Sequence, residues 1–140
     1  NRDILFEKVK FYGFDMDYTI AEYISPFYEE LALKHAIKLL LEMGYPSEIQ
    51  SAKYDPEFAS RGVIFDTKLG NFLKTDPYGN IMTTVYGLQA LNVETSRLLY
   101  ANRFINLENK ERFVHFYTLF ELPSMFLISF LIYYFEKNVS

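Results

Sequence analysis

Four glycines, Gly62, Gly70, Gly79 and Gly87, cut the middle of the chain into short apolar runs, and this punctuation limits the possible folds more than any other feature. The runs are Val63-Ile64-Phe65, Asn71-Phe72-Leu73-Lys74 and Ile81-Met82-Thr83-Thr84-Val85-Tyr86. Between the last two lies Asp76-Pro77-Tyr78-Gly79-Asn80, a cluster of turn-forming residues. Residues 61–91 are therefore expected to form successive antiparallel strands joined by hairpins.

The flanks read differently. Val9-Lys10-Phe11-Tyr12-Gly13-Phe14 is short, aromatic and β-prone, which predicts a buried strand. Ser25-Pro26 offers a hydroxyl N-cap followed by proline at a first helical position. Leu33, Ile37, Leu40 and Leu41 then recur at helical spacing until Gly44-Tyr45-Pro46 supplies a stop. Asn92 can cap a short helix through Leu99. A further helix is expected after Asn106, with Phe113, Phe116, Tyr117 and Phe120 on one face, and Pro123 should open a last helix. No internal repeat, low-complexity tract or linker interrupts the chain. Only one strand of the kind that builds a parallel sheet is visible, whereas a doubly wound domain needs several alternating with helices. The expectation is an unusual domain or the front part of a longer one, and the opening at Asn1 rather than a methionine agrees with a fragment or a processed product.

Composition narrows the functional classes. With 140 residues there is one domain or a piece of one, and 14 Phe and 12 Tyr supply ample material for a core. The net charge of −4 disfavours a nucleic-acid polymer as partner, although a bound cation would still let an acidic chain hold a phosphate ester. Zero cysteine excludes disulfides, thiolate metal sites and a thiol nucleophile, and fits a cytoplasmic location. No signal sequence is apparent. The run Met125–Phe135 is shorter than the roughly 18 residues a bilayer span needs, so a buried helix and no membrane association are expected. An apolar helix of this kind calls for cover from more chain or a partner.

The chemistry concentrates in Asp15-Met16-Asp17-Tyr18-Thr19, directly after the expected strand 9–14. Residues two apart on a strand share a face, so both carboxylates could converge on one ligand beyond a strand's carboxyl end. One carboxylate could attack a phosphoryl group, and the other could protonate the leaving alkoxide and then activate water. Two anions facing a phosphate require a divalent cation, and Mg²⁺ suits an all-oxygen site. An isolated Asp-x-Asp also suits a solvated turn; the apolar run before it, Gly13 and Thr19 favour phosphoryl transfer. A calcium-binding EF-hand loop is excluded, because the required glycine and closing glutamate are missing. Val63-Ile64-Phe65-Asp66-Thr67 repeats the apolar-run-then-Asp pattern without a second carboxylate at plus two, so Asp66 is assigned a structural role. His35 and His115 are too far apart in sequence to suggest a histidine metal site, and each is read as packed or on the surface.

Gly13-Phe14-Asp15-Met16-Asp17-Tyr18-Thr19, followed by a tyrosine and Ser25-Pro26, resembles the opening of the cytosolic purine (IMP/GMP-preferring) 5′-nucleotidases and their domain-containing relatives, within the haloacid dehalogenase superfamily. The similarity continues through Gly44-Tyr45-Pro46, Tyr54-Asp55-Pro56, Arg61 to Thr67, Gly70 to Asp76 and Tyr78-Gly79-Asn80. It ends with Phe104-Ile105, Glu111-Arg112-Phe113 and Leu119-Phe120-Glu121-Leu122-Pro123. The first motif points to the superfamily; Gly-Asn-Phe-Leu-Lys and Leu-Phe-x-Leu-Pro point to this family.

The resemblance implies an α/β fold with the superfamily's Rossmann-like core. Here that core would be represented by its first strand and helix, plus an antiparallel hairpin insertion (61–91) and C-terminal helices, with residues 1–140 as the N-terminal part of the domain. It makes Asp15 the nucleophile and Asp17 the general acid/base, with Mg²⁺ held by the Asp15 carboxylate and the Asp17 backbone carbonyl. It places Phe120 where an aromatic ring stacks on a purine. The substrate would be a purine nucleoside monophosphate, and the full-length protein a homo-oligomer. Glu121 replaces the asparagine usual after that phenylalanine, so base preference is not carried over. Leu107 and Tyr117 fall near an arginine and an asparagine of nucleotide-activated members, so neither is that effector site. The later Ser/Thr, Lys and acidic pair of the family have no counterpart after Asp17, so the 140 residues alone are expected to be inactive. Two other readings stay open: an inactive assembly or regulatory module of the same fold, and a phosphatase for another small phosphate ester.

Overall fold

The computed structural model describes residues 5–58 and 60–138. Helix α1 (Phe27–Glu42) forms where expected, but Pro26 rather than Ser25 holds the N-cap position, with no side-chain cap. Leu33 and Ile37 are buried one turn apart on its inner face. Its end is closed by the two bonds of a Schellman motif. The Gly44 amide donates to the Leu41 carbonyl and the Tyr45 amide to the Leu40 carbonyl, both at 3.0 Å. Gly44 lies at φ 94°, a conformation glycine adopts without steric cost. A short 3₁₀ turn (Ser47–Ser51) then lays the fully buried Ile49 against the helix.

The glycine-punctuated middle builds the sheet. Strands β1 (Val63–Asp66), β2 (Asn71–Thr75), β3 (Ile81–Tyr86) and β4 (Gln89–Ala90) follow one another, and β5 (Phe113–Phe116) joins the other edge, giving the order β4-β3-β2-β1-β5. All neighbours are antiparallel, with Ile64 opposite Leu73 and His115, and Phe65 opposite Phe72. The β2–β3 turn is fixed by Asp76, whose carboxylate accepts from the Tyr78 and Asn80 amides, each at 2.9 Å. Gly79 in that turn has φ 95°, and a Cβ there would lie 2.4 Å from the Ile105 carbonyl oxygen. Only glycine allows that approach. Helix α2 (Val93–Leu99) begins as expected, with the Asn92 side chain accepting from the Thr95 amide at 2.8 Å.

Strand alternation sorts the core into two faces. Ile64, Leu73 and Phe113 pack with Ile81, Tyr100 and Ile105 on one side. Val63 and Phe72 pack with Phe65, Val85 and Phe116 on the other, against Met125 and Ile128 of helix α3 (Leu122–Asn138). The next face of α3, with Phe126 and Leu127, meets Leu33, Ile37 and Ile49. Helix α3 is thus a wall shared by the sheet and α1, which is why it is apolar nearly all round. Each large side chain buried in these clusters contributes about 1.5–3 kcal/mol of transfer free energy.

Three expectations need correction. Residues 9–14 form no strand: Lys10 to Phe14 are exposed, and among the described residues no strand lies beside them to take up their backbone hydrogen bonds. The helix expected after Asn106 is strand β5, because Phe113 to Phe116 pair with β1 along its open edge. The spacing of Phe113, Phe116, Tyr117 and Phe120 mimicked a helical face, but tertiary pairing overrode it. Finally, Met125–Phe135 is extended by its flanks into a 20-residue helical stretch, Leu119–Asn138, long and apolar enough to cross a membrane. The core helix of a soluble protein meets the same criterion, and Met125, Phe126, Leu127 and Ser129 are buried inside this chain. The mixed α/β architecture with its antiparallel insertion and C-terminal helix otherwise agrees with part of a haloacid-dehalogenase-like fold.

Candidate active site

Asp15 and Asp17 lie in a tight loop rather than on a strand. The Met16 carbonyl accepts from the Ile20 and Ala21 amides at 3.0 and 2.9 Å, and the Tyr18 amide donates to the Ala21 carbonyl at 2.7 Å. These bonds bracket Asp17 in an isolated bridge with Ala21 and end on Met16 and Ala21, leaving the Asp17 carbonyl outside them. To close the loop Tyr18 adopts φ 58°, a left-handed conformation that costs an L-residue roughly 1–2 kcal/mol. Non-glycine residues held there cluster at functional sites.

Both carboxylates are exposed, and each has a hydroxyl donor from its own loop. Thr19 Oγ1 donates to Asp15 Oδ2 at 3.4 Å, and Tyr23 OH donates to Asp17 Oδ1 at 2.5 Å. The hydrogen bond to Asp17 is the main reason the Tyr23 phenol is held above the usual tyrosine range. It stays a donor at neutral pH.

Phe120 reaches this loop from far along the chain. Its ring centroid lies 5.6 Å from Tyr18, 6.0 Å from Tyr23 and 5.7 Å from Tyr28, in tilted and edge-on arrangements favoured between aromatic rings. It stays 40% exposed, so part of the ring remains open. The 3₁₀ turn Leu119–Glu121 that carries it is held by a capping box. Glu121 Oε2 accepts from the Tyr117 amide at 2.8 Å, the Thr118 amide at 2.7 Å and Thr118 Oγ1 at 3.0 Å. The carboxylate at the position after Phe120 is thus occupied with backbone. Thr118-x-x-Glu121 before an apolar run was a readable signal for this; the Tyr18–Tyr23–Tyr28 spacing carried none, because five fits neither regular period.

The other candidates are structural. Asp66 is fully buried and accepts from Arg112 Nε (2.8 Å), Arg112 Nη2 (2.6 Å), Tyr100 OH (2.8 Å) and the Lys68 amide (3.0 Å). Burial pushes its carboxyl up, but Arg112, Tyr100 and the Lys68 amide together hold it below the usual aspartate range. His35 is exposed on α1; His115 is half-buried, stacked on Tyr117 and hydrogen-bonded to its hydroxyl. Leu107 packs against the sheet core, and Tyr117 is 63% exposed.

The model of the 5′ nucleotidase family matches residues 1–140. The chain is also similar to 5′-nucleotidase domain-containing protein 2 of Rattus norvegicus, with 32% identity over 145 aligned positions covering 96% of this chain. It spans about a quarter of that relative's length (26%). The chain therefore belongs to the 5′-nucleotidase family.

Proposed function

We propose that this chain is the N-terminal, nucleophile-bearing part of a Mg²⁺-dependent 5′-nucleotidase that hydrolyses purine nucleoside monophosphates of the IMP/GMP type. The observation that carries the reading is the exposed Asp15/Asp17 loop within a chain matched along its whole length by the family model. Asp15 would attack the phosphoryl group, forming an aspartyl-phosphate and releasing the nucleoside. Asp17 would protonate the leaving 5′-oxygen and later take a proton from the hydrolytic water. Tyr23, bound to Asp17 Oδ1, orients that carboxylate so that the other oxygen can carry the proton. The open part of the Phe120 ring would stack on the base, with its tilt set by the three tyrosines.

The donors in the loop suit the implied metal. They are carboxylate and carbonyl oxygens, and both side chains are exposed, which leaves room for the waters Mg²⁺ retains. Among the described residues no group of three or more His, Asp or Glu side chains could hold a metal ion, so the loop would supply only part of the ion's ligands. Mg²⁺ would be held by the Asp15 carboxylate and the Asp17 carbonyl, and would offset the charge between two carboxylates and a phosphate.

Two experiments test the reading. The first measures Mg²⁺-dependent release of phosphate from IMP and GMP by this chain and by a longer parent polypeptide. The parent should turn over and the 140 residues alone should not, because one loop cannot neutralise the transition state. Robust turnover by the short chain overturns that division of labour. The second is Asp15→Asn in the active parent, which should abolish turnover and trapping by beryllium fluoride; unchanged activity rejects Asp15 as nucleophile.

A further inference from the structure

Beside the loop lies a cavity that shares Tyr18 and Tyr23 with it but contains a carboxylate, Glu29, to which the proposed reaction gives no role. It has a volume of about 520 Å³ and is lined by Tyr18, Tyr23 and Tyr54, by Glu22 and Glu29, and by smaller or apolar residues. Glu29, in the first turn of α1, is only 2% exposed, and its Oε2 has no hydrogen-bond partner among the described residues. A buried carboxylate oxygen without a donor is disfavoured unless something else supplies one. Among the described residues no lysine, arginine or histidine lines the cavity.

We propose that this cavity binds an organic cation, a guanidinium group, with Glu29 as its buried counter-ion. Three observations choose this class over others. The wall is negative: Glu22 and Glu29 line it with no cationic side chain beside them among the described residues, and Glu29 is buried. That excludes a phosphate as occupant. The carboxylates do not converge as a metal cluster, since no three acidic or histidine side chains among the described residues could hold an ion. That disfavours a bare divalent cation. Finally, the walls are aromatic, and a planar guanidinium can stack on a tyrosine face while its N–H groups meet a carboxylate. Tyr54, whose phenol is pushed up to about 12 by burial, then by Glu29 and Asp55, remains neutral and suited to that role. The occupant could be a free guanidino compound or an arginine side chain of a polypeptide.

The proposal does not depend on the nucleotidase reading, because its test measures binding rather than turnover. Agmatine and the peptide acetyl-Gly-Arg-Gly-amide are titrated into the chain, with tyrosine ring NMR signals as readout and inorganic phosphate and MgCl₂ as controls. Agmatine or the peptide should saturate, weaken as salt is added, and lose at least tenfold in affinity in Glu29→Gln. Tighter binding of the peptide identifies a side chain as the source, and tighter binding of agmatine a small molecule. Glu22→Gln, a change at an exposed residue that leaves the core intact, should weaken binding two- to threefold and keeps the test valid should Glu29→Gln fail to fold. No saturable signal in the wild type, equal affinity in the folded variants, or stronger saturation by phosphate or Mg²⁺ that is itself lost in Glu29→Gln or Glu22→Gln overturns the proposal.

Discussion

Asp66 and the Asp15/Asp17 pair both follow apolar runs in the sequence, yet the fold treats them in opposite ways. Asp66 ends a paired strand, is sealed from solvent, and has its two oxygens engaged by four donors, two of them drawn from Arg112 across 46 residues of chain. Asp15 and Asp17 sit on an exposed loop, each with one hydroxyl from a residue no more than six positions away. A buried carboxylate with all its partners inside the protein has nothing left to offer a ligand, and its loss is felt by the fold. An exposed one with a single local donor contributes little to stability and keeps lone pairs free for chemistry.

The comparison can be broken most directly by mutation. Asp66→Ala should destabilise the chain by about 3 kcal/mol or more, because Arg112 and Tyr100 would be left facing each other without their acceptor. Urea unfolding measures this, and a loss below 1 kcal/mol would reduce Asp66 to the rank of the exposed pair. The buried side of the comparison can also be tested with pH. Asp66 is held below its unfolded value near 4, so its contribution is fully present above about pH 4 and is lost as pH falls through the lower folded value. Wild type should therefore lose stability more steeply below pH 4 than Asp66→Asn.

A third, smaller effect concerns the turn that delivers Phe120. Thr118→Ala removes a hydroxyl from the capping box and should cost about 1 kcal/mol in the same unfolding assay. Smallest of all, Asp15→Asn should change stability by no more than about 0.5 kcal/mol, as expected for a surface site. A loss as large as that for Asp66→Ala would show that the exposed loop is structural after all.

How far the sequence could be read depended on whether its signals were local. The hairpins were legible because Gly79 and its neighbours encode turn geometry within a few residues. Helix α1 was legible from Leu33 to Gly44 for the same reason, with period and stop both contained in the segment. Strand β5 was not, because nothing near Phe113 announces that the partner edge lies at Val63 to Asp66. The stretch 9–14 failed in the converse way: its composition is that of a strand, but a strand exists only beside another. At the candidate site, Asp15 and Asp17 were named from their motif and Phe120 from the resemblance. The tyrosines that join them, and the burial of Glu29 among charged neighbours in the first turn of α1, are products of tertiary packing and leave no periodic trace.

The shared wall formed by α3 has one consequence for motion. Phe120 stands immediately ahead of that helix, and the helix is gripped on one side by the sheet and on the other by α1. A slip of a single residue in its register would turn the helix start by about 100° and carry the ring away from Tyr18, Tyr23 and Tyr28. The two packed faces of α3 therefore fix the register of the helix whose start carries Phe120 to a loop far earlier in the chain.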